Sequence, residues 1–199
     1  MLLSAEAAVP AKPCLHAWMW KRLDTPGSEY GELHEQPTGW DLLGSVVLWE
    51  QGTPCLVEYV VSCDKDWRTR EVRVALARSG ARRHLRLRVD ARQCWWRGDE
   101  EVTQFRGCTD VDLGFTPATN TLPIRRLSLA VGQGEDVVAA WVRMPDLALV
   151  VLPQRYTRLA ESRYRYESNG GRFVAELDVD PRGLVTHYPP AWRLAGEGT

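Results

Sequence analysis

The sequence predicts a mainly β protein, α+β in class, in which an extensive sheet wraps one short helix near residues 120–130. Three observations carry that reading. Apolar and polar residues alternate with period two over much of the chain, Gly, Pro, Asn and Asp turn signals recur between the alternating runs, and a single segment breaks the period. A lone apolar helix in a strand-rich chain has only the sheet to bury it.

Taken in order, residues 46–49 and 56–61 flank Gln51-Gly52-Thr53-Pro54 and read as a hairpin. Residues 69–77 follow, with Val72, Val74 and Leu76 alternating against Glu71, Arg73 and Ala75. After the Ser79-Gly80 turn, Leu85, Leu87 and Val89 alternate with His84, Arg86 and Arg88. This is the pattern of a half-buried antiparallel ribbon, whose arginine face is more simply a solvated face than a phosphate-binding surface. Residues 94–97 and 102–105 bracket a further hairpin turn at 98–101, and residues 109–113 read as a strand. The period then breaks. Thr119, Asn120 and Thr121 are candidate helix caps, Pro123 suits a first turn, and Ile124, Leu127 and Val131 recur at helical spacing. A helix over about residues 122–130, stopped by Gly132 or Gly134, is expected. Strands resume over residues 137–142, 148–152, 155–166, 173–179 and 184–187. In the third-last of these Tyr156, Tyr164 and Tyr166 fall at even positions and line one face. Nothing resembles a linker, so one domain over residues 15–194 is expected, with loosely ordered ends at 1–14 and 195–199.

Composition narrows the function. The 199 residues include 25 Lys+Arg against 26 Asp+Glu, a net charge of −1 that offers no global field to nucleic acid or anionic membrane. No apolar run approaches the roughly 20 residues of a membrane span, and no secretion signal is evident, which points to the cytoplasm. Five cysteines without C-x-x-C spacing read as free thiols, and four scattered histidines give no metal motif, so neither metal nor cofactor is expected.

Chemistry concentrates in residues 107–127. Asp110 and Asp112 lie two apart in a strand, so their carboxylates share a face with α-carbons roughly 6.5 to 7 Å apart. Arg125 and Arg126 sit within the apolar helix, where a guanidinium out of water needs carboxylate or carbonyl partners. Either the aspartates neutralise the arginines and fix the helix to the sheet, or the four groups form a polar cluster that hydrogen-bonds the hydroxyls of a ligand.

Residues 116–127, Thr-Pro-Ala-Thr-Asn-Thr-Leu-Pro-Ile-Arg-Arg-Leu, preceded by Gly-Cys-Thr-Asp-Val-Asp-Leu at 107–113, resemble the signature of the glycolipid-binding family, formerly a bacterial domain of unknown function. The resemblance extends to Trp40, Gly44, the 59–70 stretch with Asp64, Trp67, Thr69 and Arg70, residues 140–147, Gln154 with Tyr156, and residues 179–185. It implies a long antiparallel sheet or half-barrel curled around a single helix, similar to lipoprotein carriers, and a homodimer. It also implies motif positions at Asp110, Asp112, Asn120, Arg125 and Arg126. The leading functional expectation is therefore a binding protein that takes a small amphipathic, glycolipid-like ligand, with Glu58, Tyr59, Trp67, Arg70 and Tyr156 as candidate walls. The alternative is a glycoside hydrolase using Asp110 and Asp112 as acid and base, which needs carboxylates about 5 to 9.5 Å apart and one raised pKa. Adjacent arginines would hold both carboxyls ionised, which favours binding. Trp95 and Trp96 should face opposite sides of their strand, leaving one ring as a candidate dimer anchor.

Overall fold

A strand with one apolar face needs a neighbour along each edge and a cover over that face, and one continuous sheet meets both needs here. A computed structural model describes residues 14–198; the expectations for residues 1–13 and Thr199 lie outside them. The strands are β1 (Cys14–Arg22), β2 (Gly27–Gln36), β3 (Gly39–Glu50), β4 (Thr53–Asp64), β5 (Thr69–Arg78), β6 (Ala81–Val89), β7 (Trp95–Arg97), β8 (Glu100–Glu101), β9 (Asp110–Leu113), β10 (Gly134–Arg143), β11 (Ala148–Ala160), β12 (Arg163–Ser168), β13 (Phe173–Val179), β14 (Val185–Tyr188) and β15 (Trp192–Gly198), with α1 at Thr121–Leu127. Their order in the sheet is 8-7-6-5-4-3-2-1-15-14-13-12-11-10-9. Two meanders thus run outward from a seam where β1 pairs antiparallel with β15, Ala17 opposite Gly198 and Arg22 opposite Trp192. The mainly β, helix-wrapping expectation holds, and the sheet is curled but unclosed.

Neighbouring strands join through tight turns where the chain supplies positive φ. Gln51 and Gly52 (φ 49° and 76°) and Ser79 and Gly80 (φ 49° and 78°) turn β3 into β4 and β5 into β6. One pair is different. β9 runs parallel to β10, with Asp110 opposite Ala139 and Asp112 opposite Trp141. A parallel pair demands a crossover, and the segment carrying α1 provides it. The free edges approach through side chains instead of a ladder: Trp95 Nε1 donates to Cys108 O (2.9 Å), Gln104 Nε2 to Leu149 O (3.1 Å), and Val111 N to Thr69 Oγ1 (3.1 Å).

The core lies inside the curl. Trp20, Trp95, Phe105, Phe115, Leu122 and Leu177 are fully buried, and Leu122 and Ile124 of α1 belong to the same apolar cluster as the strands. Two glycines let aromatic rings lie flat on the sheet. A Cβ on Gly31 would fall within the Trp18 ring, and one on Gly44 within the Tyr59 ring.

Several elements depart from expectation. α1 is shorter, follows a 3-10 turn at Ala118–Asn120, and ends at Ser128 in the left-handed conformation (φ 47°) well before the glycines. Residues 103–105 form a 3-10 turn whose Phe105 packs edge-on against Trp95 at 5.6 Å, not a strand. The expected strand over 155–166 is a hairpin reversing at Glu161-Ser162, so Tyr156 and Tyr166 are cross-strand partners. β11 also runs through Pro153, which the missing N–H would forbid in a fully paired strand. Asn169 N donates to Pro153 O, one residue beyond the last β12 residue, so the missing donor faces past the end of β12. Residues 195–198, expected to be loosely held, continue β15 and pair with β1.

Candidate functional site

The crossover between β9 and α1 is pinned from inside by its own hydroxyls. Thr119 Oγ1 accepts from Leu113 N (3.1 Å) and Thr116 Oγ1 from Ala118 N (3.0 Å). The Asn120 side chain caps nothing; its Nδ2 donates to Pro117 O (3.1 Å), and its Oδ1 accepts from Tyr156 OH (2.8 Å). The loop therefore presents Asp112, Thr116 and Asn120 along one short path.

These three residues line a cavity of about 240 Å³, closed on its other sides by Arg22, Asp24, Phe173, Tyr188, Pro190 and Trp192. Asp112 is its acidic group. Gln154 Nε2 donates to Asp112 Oδ2 (2.6 Å) and to Tyr166 OH (3.0 Å), and the carboxyl stays partly accessible. Burial pushes its pKa up to about 6, against the hydrogen bonds from Gln154 and Tyr166. Across the cavity, burial opposes the ionisation of Asp24, but the Arg22 guanidinium and local backbone N–H groups hold it below the usual range. Arg22 Nε donates to Asp24 Oδ1 (2.8 Å), and the guanidinium stands 5.6 Å from the Trp192 ring centroid. No histidine or cysteine lines the cavity.

The two aspartates of β9 have separate partners. Asp110 is 1% exposed, and Arg126 grips both of its oxygens, Nε to Oδ1 at 3.0 Å and Nη2 to Oδ2 at 2.5 Å. Burial still raises the Asp110 pKa, outweighing the guanidinium. The expectation that arginines would lower both carboxyls is thus corrected: desolvation wins at Asp110, and Asp112 has no arginine partner. Arg125 is exposed, not buried, and lies over the Trp67 ring at 5.3 Å. It borders a different cavity, of about 520 Å³, with Arg158, Tyr164 and Asp180.

The other candidate residues disperse. Trp67 adopts φ 64° in the β4–β5 turn and stacks on Trp40 at 4.9 Å. Arg70 closes that turn on Asp64 (2.6 Å) and reaches Asp90 O (3.0 Å). Glu58 projects outward into a groove of about 700 Å³ over Leu43, Val60 and Ala75 on the outer face. Tyr59 points inward and donates to Glu29 Oε1 (2.6 Å), which also accepts from Thr116 Oγ1 (2.9 Å). Glu29, 1% exposed, was invisible to sequence reasoning; burial raises its pKa to about 8, against those two hydrogen bonds. Arg22, Asp24, Tyr188 and Trp192 were likewise unmarked. Their one signal is the alternation of β1 and the Pro-Pro-Ala-Trp run at 189–192, and neither points to chemistry.

A curled sheet that buries its crossover helix and leaves a small polar, aromatic-walled cavity beside the helix entry defines a mainly β protein with a single short α-helix among the described residues. The chain belongs to the family described as "Putative glycolipid-binding", whose model matches residues 17–193. It is also similar to a DUF1089 family protein from Pseudomonas aeruginosa, known as a crystal structure, at 31% identity over 97% of this chain and 98% of that one, with a TM-score of 0.75. No curated protein matches. Among the described residues no helix is long and apolar enough to cross a membrane.

Proposed function

We propose that this protein binds the hydroxyl-rich headgroup of a glycolipid-like ligand in the Asp112 cavity. The observation that carries the reading is Asp112 itself: a carboxyl steered by Gln154 and Tyr166, partly accessible, and facing Asn120, Tyr188 and the aromatic walls of Phe173 and Trp192. Sugar hydroxyls are both donors and acceptors, and sugar faces are apolar. A carboxylate, an amide, a phenol and an arginine supply both hydrogen-bonding senses, while the rings cover the C–H faces. The volume favours a headgroup over an acyl chain. About 240 Å³ lies under the 300 Å³ or so where drug-sized pockets begin, so acyl chains would remain outside it. The hydrolase alternative has the raised carboxyl it needs in Asp112, but no partner carboxylate in Asp110, because both oxygens of Asp110 are held by Arg126 and Asp110 does not line the cavity.

The test is saturation-transfer NMR with a panel of methyl glycosides, followed by titration calorimetry on the best one. Asp112→Asn and Asn120→Ala should each weaken binding at least about tenfold, the loss of one to two hydrogen bonds at a charged or buried group. Glu58→Gln, on the outer face, should leave it unchanged. Binding indifferent to Asp112 and Asn120 would refute the assignment.

A further inference from the structure

On the outer face of the sheet, away from the cavity, the topology gathers a second set of reactive side chains. Parity along β1 would send Cys14 inward with His16, Trp18 and Trp20. A bulge between Cys14 and His16 shifts the register, so that Cys14 pairs with His34 while His16 pairs with Leu33. Bulges re-aim side chains in this way. Leu33 points into the core, so Glu32 and His34 point out, and Cys14 joins them. One ligand atom from each of Cys14, Glu32 and His34 lies within 4.8 Å of the other two.

Tyr30 OH donates to one oxygen of the Glu32 carboxyl, and the other lies against the His34 ring. His34 Nε2 meets Glu32 Oε2 at 2.6 Å. His34 Nδ1 is buried and has no hydrogen-bond partner among the described residues, in a residue only 6% exposed. A carboxylate, an imidazole and a thiol thus come together, with no lysine or arginine paired to them among the described residues.

We propose that Cys14, Glu32 and His34 form a binding site for a borderline divalent cation of the zinc type. Thiolate, imidazole and carboxylate are its preferred donors, and ligand atoms about 3.3 to 3.8 Å apart, as metal–ligand bonds of 2.0 to 2.3 Å require, are reachable by side-chain rotation from the present spacing. Three protein ligands leave a fourth position open. Tyr30, bonded to the other oxygen of Glu32, orients that carboxylate from behind. A second group, His16, Asp180 and Glu197, also comes within 4.8 Å, but it is a weaker candidate. Asp180 Oδ1 there already accepts from Arg182 N and Leu184 N, and Arg182 stands 3.6 Å from Oδ2.

The experiment titrates the reduced, metal-free full chain with Co²⁺ and reads its visible and near-ultraviolet absorption. One Co²⁺ per chain with a thiolate charge-transfer band is expected. Cys14→Ser should abolish the band, and His34→Gln should weaken Co²⁺ binding at least about tenfold, while His16→Gln changes neither. In the unaltered chain, Zn²⁺ should slow alkylation of Cys14 and leave the half-buried Cys94 as reactive as before, a readout independent of how well the variants fold. Absence of a thiolate band together with unprotected Cys14 would overturn the proposal, as would binding that survives Cys14→Ser and is lost in His16→Gln.

Discussion

Replacing Glu29 with Gln tests the interior electrostatics most directly. Glu29 Oε1 accepts from Tyr59 and Thr116, and Gln retains that oxygen. What Gln removes is titration. Burial holds the folded carboxyl near pKa 8 against an ordinary 4.5, so the folded state keeps a proton that the unfolded chain releases between those values. The sign follows from linkage. A folded pKa above the unfolded one gives stability that is complete below pH 4.5 and is lost as pH rises to about 8, by about 1.4 kcal/mol per pH unit and about 5 kcal/mol in all. Urea denaturation of both proteins at half-unit pH steps from 4 to 9 measures the difference. The stability of Glu29→Gln relative to the unaltered chain should climb steadily through that window and level off above pH 8. A difference that stays flat with pH would refute the claim that Glu29 is buried in its neutral form.

Removing Arg126 should expose the cost of the charge it holds. Arg126→Met leaves Asp110 buried without its cation and should cost about 3 to 5 kcal/mol by chemical denaturation, with much of the loss recovered when Asp110→Asn is added. Leu122→Ala, at a fully buried position on α1, should cost about 2 to 5 kcal/mol in the same assay. We also expect a homodimer, and the apolar outer surface formed by Val47, Trp49 and Leu56 is the face it would bury. Light scattering should then report a dimer for the unaltered chain and a monomer for Trp49→Asp.

The fold was legible because its elements are local. Hairpins β3–β4 and β5–β6 announce themselves by alternation around residues that accept positive φ, and the single helix by its broken period. Where the turn carries no such residue, as at Glu161-Ser162, the hairpin β11–β12 looked like one strand. The helix end went unseen because Ser128, with no glycine, takes the left-handed cap. The candidate site was less legible. Asp112 stood out by spacing and Asn120 by its place in the family motif, but the opposite wall comes from the end of β1, from β13 to β15 and from the loops beside them, which the folded sheet brings near. Trp96 shows the same limit. It does face away from Trp95, yet its indole donates to Asp90 Oδ2 at 3.0 Å and stacks with Arg88, a local partnership that pairwise alternation cannot reveal.

The seam between β1 and β15 has a kinetic meaning as well. Apart from the parallel β9–β10 pair and its crossover, each arm of the sheet is a run of strands paired with their chain neighbours, so each can zip from its own turns with short loops to close. Joining the arms requires strands from opposite ends of the described chain to find one another, a closure whose entropy is paid late and all at once. The ordering of the Asp112 cavity, which takes walls from both sides of that join, is therefore expected to coincide with the slowest step of folding, so that ligand-binding competence in a refolding experiment should appear only after most of the strand signal has been gained.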